Sequence, residues 1–281
     1  MKPYLYILPV AAFFLVTGSS CQQNTSNEKA DINDTVEAPA AKMPVVLTPV
    51  GSSPEFPDAQ LSLAAAKAVP NGKDSAKVSF TFNVKNYELK GQTNDAAAKN
   101  CNNSDKGQHI HFILDNAPYT ALYEPKHELS LANNTEHYLM CFLSRSYHES
   151  LKNKGAALVY HFRIDEKGKL QVLEAPKTPM LFYSRPKGDY LGKDTANLLL
   201  DYYVWNAEPG TFAVKAAISN ANNGQQKEEL LTDWKALFIQ NLGTGKSSVT
   251  LTLTDKEGKT LEGPMTTVTR DIKMAAQEPL Q

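Results

Sequence analysis

Between residues 77 and 85 the chain alternates without a break: Val78, Phe80, Phe82 and Val84 are apolar, and Ser79, Thr81, Asn83 and Lys85 are polar. A period of two belongs to a β-strand with one buried face. The pattern recurs. Ile110, Phe112 and Leu114 face one way, with His109, His111 and Ile113 opposite; Leu158, Tyr160, Phe162 and Ile164 alternate with Val159, His161 and Arg163. Further sets run through Leu198, Leu200, Tyr202 and Val204, through Phe212, Val214, Ala216 and Ile218, and through Val249, Leu251 and Leu253. Asn71-Gly72, Glu166-Lys167-Gly168, Asn222-Asn223-Gly224 and Lys256-Glu257-Gly258 read as turns between them. No long stretch keeps a 3.6-residue period, so the fold class is all-β.

The two halves carry their parts in the same order. Opening strands end at Val84-Lys85-Asn86 and at Val204-Trp205-Asn206, and middle strands lead to Asp115-Asn116 and to Ser219-Asn220. An aromatic residue, Tyr123 or Trp234, stands in the connection that follows. Late strands at Leu139–Leu143 and Val249–Leu253 precede closing strands at Leu158–Ile164 and Val268–Ile272. Each half is near the size of an immunoglobulin-like sandwich. The expectation is two tandem immunoglobulin-like β-sandwich domains, residues 55–173 and 194–281, joined by an interdomain segment at 174–193; a single larger sandwich is the alternative.

Ahead of the first sandwich, Lys2 precedes an apolar run from Tyr4 to Val16, then Thr17, Gly18, Ser19, Ser20 and Cys21. This is the layout of a secretion signal, and the run is shorter than the roughly 20 residues that span a bilayer. Small residues followed directly by cysteine resemble a lipobox. The resemblance implies a signal peptide at 1–20, diacylglycerol on Cys21, and a lipid-anchored protein of the cell envelope, assigned to the outer membrane. Residues 21–54, rich in Gln, Asn, Ser, Thr, Ala and Pro, hold too little apolar surface to offset the entropy of ordering, so a flexible tether is expected.

The formal net charge is −1, or −2 once Lys2 is removed with the signal, which argues against nucleic acid as a partner. The expected partners are the membrane, through the lipid, and an unknown ligand or envelope protein. With Cys21 lipidated, Cys101 and Cys141 remain, and an even pair in an exported chain predicts a disulfide; two unpaired cysteines, one of them buried, are the alternative.

All six histidines fall between His109 and His161. On a strand, His109 and His111 share one face about 6.5–7 Å apart, so both imidazoles can turn toward one ion at about 2.1 Å. Further ligands are sought among His127, His137 and His148, or Glu128, Glu136 and Glu149. Such a set would suit Zn²⁺ or Cu²⁺, with His109, His111, His137 and His148 the metal candidates. The alternative is a set of solvated or hydrogen-bonded histidines on an outer sheet face, with no cofactor. The chain has only four arginines. Arg145 lies in the polar run Ser144 to Lys152 with Tyr147 and His148, a composition that suits a phosphate or carboxylate; Arg185 adds a cation at Phe182 to Tyr190. The ligand-binding candidates are therefore His109, His111, Arg145, Tyr147, His148 and Arg185.

Val84-Lys85-Asn86-Tyr87-Glu88-Leu89, Lys106-Gly107-Gln108-His109-Ile110-His111, Asn116-Ala117-Pro118-Tyr119 and Ser144 to Lys152 resemble a group of bacterial exported lipoproteins labelled phosphopeptide-binding. The resemblance implies a β-sandwich that reads phosphothreonine through an arginine and a Ser-Arg-x-His loop; here Ser144-Arg145 is separated from His148 by two residues, Ser146 and Tyr147, rather than one.

No catalytic signature stands out. Gly243-Thr244-Gly245-Lys246-Ser247 lacks the first glycine of a P-loop, with Gln240 in its place, and no serine lies in a Gly-x-Ser-x-Gly elbow. The functional expectation is a non-enzymatic binding module acting through the His-rich face of the first sandwich; a Cu/Zn-binding module and a structural envelope scaffold are the alternatives.

Overall fold

The computed structural model describes residues 43–277; the expected signal peptide, Cys21 and the expected tether up to residue 42 lie outside the described residues. The chain begins there with β1 (Val46–Pro49) and continues into β2 (Gln60–Pro70) and β3 (Ser75–Lys85). The alternation at 77–85 is β3, with Ala76, Val78, Phe80 and Phe82 buried. β3 lies between β2 and β6 (Lys126–Ala132), antiparallel to both. Facing this sheet is a second one built from β4 (His109–Leu114), β5 (Thr120–Leu122), β7 (Thr135–Ser144), β8 (Ala157–Ile164) and β9 (Leu170–Val172). Its order is β5-β4-β7-β8-β9. Phe80, Phe82, Phe112, Leu139, Leu143 and Phe162 fill the core between the two.

The second sandwich pairs a sheet of order β1-β15-β12-β10 with one of order β11-β17-β16-β13-β14. Its strands are β10 (Met180–Arg185), β11 (Gly188–Leu191), β12 (Leu198–Trp205), β13 (Ala213–Asn220), β14 (Gln226–Leu231), β15 (Leu237–Gln240), β16 (Gly245–Thr254) and β17 (Thr267–Ala275). Leu181, Tyr183, Leu200, Tyr202, Val214, Val249 and Leu251 are part of its core. The two halves repeat one plan. The order β2-β3-β6 is matched by β10-β12-β15, and β5-β4-β7-β8 by β14-β13-β16-β17. A small bridge after β7, Ser144 to Ser150, recurs after β16 as Thr254 to Thr260.

Three sequence expectations need correction. The composition predicts a tether to residue 54, but β1 pairs with β15 of the second sandwich and buries Val45 and Val50 at its ends. The run Val45-Val46-Leu47 is apolar and opens with two β-branched valines, and averaging over a polar segment hides it. The interdomain segment 174–193 supplies β10 and β11, paired with β12 and β17. Met180-Leu181-Phe182-Tyr183 is buried on both faces and therefore does not alternate. Finally, Cys101 and Cys141 are free thiols rather than a disulfide. Cys141 sits in the first sandwich's core, whereas Cys101 packs near Val50, Leu199, Ala236 and Phe238.

β4, β7, β10 and β12 are buried on both faces because the sandwiches pack on each other. Ile113, Met140 and Phe142 of the first meet Met180, Phe182 and Tyr203 of the second. At the edge of β10, Asn116 donates through Nδ2 to the Leu181 carbonyl (2.7 Å) and accepts from the Tyr183 N–H (2.9 Å), standing in for a neighbouring strand. Asp201 on β12 is wholly buried; Lys152 Nζ lies 3.0 Å from its Oδ1, and the Ser150 hydroxyl donates to the same oxygen (2.9 Å). Among the described residues no helix is long and apolar enough to cross a membrane.

Candidate metal centre

The face of β4 that carries His109 and His111 is not an outer one: both side chains are at 0% exposure, covered by the second sandwich. Strand spacing sets the two imidazoles side by side, with their Nε2 atoms 3.0 Å apart. His148 comes from the turn after β7, which pairs with β4, and its Nδ1 lies 3.2 Å from His109 Nε2. The three ligand atoms all fall within 4.8 Å of one another. A tetrahedral ion bound at about 2.1 Å sets its nitrogens about 3.4 Å apart, so two spacings are near bonding geometry and the third closes by a modest ring rotation.

The outer nitrogen of each ring faces a partner of its own. His109 Nδ1–H donates to the Gly107 carbonyl (2.8 Å), and His148 Nε2–H donates to Asn102 Oδ1 (3.1 Å). The Asn102 amide is oriented in turn by donation from Nδ2 to Asp194 Oδ2 (2.6 Å). These bonds fix the tautomers, leaving lone pairs on His109 Nε2 and His148 Nδ1 directed inward. His111 Nδ1 meets the Ser184 hydroxyl (3.0 Å), which can donate or accept, so this ring can present either a proton or a lone pair to the centre. Gly107 has φ +79°, and a Cβ there would lie 2.3 Å from the Lys90 carbonyl oxygen; only glycine lets the loop hold this carbonyl under His109.

His148 is held at φ +72°, a region that disfavours a side chain. In its turn the Arg145 N–H bonds the Glu149 carbonyl and the His148 N–H bonds the Arg145 carbonyl. The same pattern recurs at Asp165–Lys169 and Asp255–Lys259, where the matching residues are Gly168 and Gly258, both with positive φ. The bridge register aligns β4 with β13 through Ser144 and Thr254, so His109 and His111 correspond to Ala213 and Lys215. All three imidazoles are thus peculiar to the first sandwich, and one of them occupies a position that glycine fills twice elsewhere.

Burial pushes His109 down to about 4 and both His111 and His148 well below the ordinary histidine value, with the charges of Arg185 and Lys187 adding to the effect. The rings are therefore neutral at pH 7, the form that ligates a metal. Tyr119 completes the wall: its ring stacks on His111 at 3.5 Å and its hydroxyl donates to His148 Nδ1 (3.1 Å), a bond that an ion on that lone pair would displace.

The other expected residues lie apart. His137 bonds Asp115 and Thr135, His161 bonds Glu136 and the Glu174 carbonyl, and His127 rests against Phe112. Glu128 pairs with Lys77, and Glu149 accepts from the Ser53 hydroxyl. Arg145 is buried with its donors on the Pro54 and Ser150 carbonyls, so its guanidinium ties the first sandwich to the chain before β2. Tyr147 is buried, its hydroxyl toward Asp95 at 3.4 Å. Arg185 does reach the centre: its guanidinium lies 5.4 Å from the Tyr119 ring. Asn102, Tyr119, Ser184 and Lys187 were not singled out from sequence. Asn102 sits in a polar loop without pattern, whereas Tyr119 and Lys187 lie in stretches already noted for other reasons.

No family model matches the chain, and no curated protein matches it. Among solved structures, it aligns with the fibronectin(III)-like modules of Clostridium thermocellum CbhA at 10% identity, with a TM-score of 0.27, covering 79% of this chain and 98% of that one. So distant a likeness is silent on function.

Proposed function

We propose that this protein is a non-catalytic metal-binding module of the cell envelope, holding Zn²⁺ or copper on His109, His111 and His148 and anchored through lipid on Cys21. One observation carries the reading: three buried imidazoles converge, and outer hydrogen bonds to Gly107 and Asn102 direct lone pairs from two of them to a common point. Histidines serving only as core packing would not need tautomers set this way, nor a strained backbone to bring the third ring in. Imidazole suits both zinc and copper. The test is elemental analysis of protein purified without chelator or histidine tag, followed by titration with Zn²⁺ and Cu²⁺. One equivalent bound with micromolar or tighter affinity, and lost in the H109A/H111A double variant, is the expected result; absence of uptake by the wild-type protein would remove the reading.

A further inference from the structure

The metal centre lies beside an unbalanced group of cations. Arg185 and Arg270 are both more than nine-tenths buried, and Lys187 is half-buried beside them. None of the three has a carboxylate within ion-pair distance among the described residues. Lys187 donates to the Tyr119 carbonyl (2.7 Å) and Arg270 to the carbonyls of Asn116, Ala117 and Tyr183, so neutral oxygens rather than carboxylates face these two charges. A buried cation normally faces an anion, because an unpaired charge in the interior is strongly unfavourable.

Arg185 is the member that faces the imidazoles. It follows Ser184, the partner of His111, on β10, and its guanidinium lies 5.4 Å from the Tyr119 ring that stacks on His111. Nη1 donates to the Tyr190 hydroxyl (3.0 Å), while the buried Nε has no hydrogen-bond partner. A divalent ion on the three histidines would add two further positive charges at short range. Three neutral imidazoles supply no compensating charge and leave a fourth coordination position open.

We infer that this position takes a small oxyanion of the carboxylate class, which ligates the metal through one oxygen and accepts from Arg185 Nε through the other. The inference rests on the metal reading above. The planar guanidinium matches a carboxylate edge, and the burial of His109, His111 and Arg185 favours an anion of few atoms. The neutral Tyr119 phenol is the competing source of negative charge. Its hydroxyl stands 3.1 Å from His148 Nδ1, so the Y119F variant decides between the two.

The experiment uses the Cu²⁺-loaded protein and two probes, azide as a spectroscopic anion and formate as its competitor. A saturable azide-to-copper charge-transfer band, displaced by formate, is expected in the wild type and in Y119F. R185M should bind copper with unchanged stoichiometry but azide at least tenfold more weakly; R185Q serves if R185M does not fold. The inference is overturned if the copper protein gives no azide band, or if the arginine variants bind azide as the wild type does. A phenolate-to-copper band that vanishes in Y119F would overturn it too, by placing Tyr119 in the fourth position. Copper uptake without an anion response leaves the metal reading standing, whereas no copper uptake removes both.

Discussion

His148 offers a comparison in which two substitutions remove the same imidazole and differ only in backbone. Both His148→Ala and His148→Gly lose the hydrogen bonds to Asn102 and Tyr119 and the buried ring. Alanine must still adopt φ +72°, where a Cβ costs about 1–2 kcal/mol. Glycine adopts it freely, as Gly168 and Gly258 do in the sister turns. In ordinary backbone Gly is less stable than Ala by about 0.4–1 kcal/mol through unfolded-state entropy. The order should invert here, with H148G more stable than H148A by about 1 kcal/mol in urea unfolding with EDTA present. The same pair reports on ligation. At a Zn²⁺ concentration of about 100 times Kd, the wild-type protein should gain about 2.7 kcal/mol of stability. Loss of an outer-sphere partner weakens metal sites 10–100-fold, so loss of a ligand should weaken this one by at least about 100-fold. The gain then falls to about 0.4 kcal/mol or less in either variant. Two results would refute the reasoning: H148A more stable than H148G would deny the backbone strain, and an undiminished zinc gain would deny the ligand role.

Three further predictions concern charge. The folded state holds these histidines neutral, so between about pH 6.5 and 4 the unfolded chain binds more protons; metal-free stability should be fully present above 6.5 and fall as the pH drops through that window, by on the order of 3 kcal/mol from His109 alone, as followed by urea midpoints. Zinc affinity should correspondingly hold nearly flat down to about pH 5, where an exposed imidazole site would already have weakened, and isothermal titration at stepped pH checks this. Lys152→Met would leave the fully buried Asp201 without its cation and should cost about 3–5 kcal/mol, much of it recovered by adding Asp201→Asn; equal losses in the single and double variants would count against the pair.

Alternation made most of the strands legible, and the order of parts in the two halves anticipated the repeated sheet plan. What alternation cannot report is which second face becomes covered. His109 and His111 read as an outward face because they oppose Ile110 and Phe112, yet the face is sealed by residues some seventy positions further on, Phe182 and Ser184. An inexpensive double alanine substitution, natural for an outer face, is accordingly not expected of two wholly buried rings. The third ligand was among several candidates, since a turn histidine carries no periodicity; its distinguishing mark, a left-handed backbone where sister turns have glycine, becomes visible only once the three turns are superimposed. Arg145 misled for the opposite reason. An arginine among serines and a histidine has the composition of an anion site, but composition does not reveal that backbone carbonyls of Pro54 and Ser150 already occupy its donors.

The pairing of β1 with β15 also bears on how the molecule assembles. Thr48 meets Gln240 across 192 residues of chain, with the entire first sandwich inserted between the two partners. Closing so long a loop carries a large entropic cost, and contacts of such high sequence separation form late. Neither sandwich can be released by a single cut in the polypeptide, and the seam that gathers the histidines forms only when both have come together. Metal uptake by this chain would therefore report on completed tertiary assembly, at a point that no single strand or hairpin can reach alone.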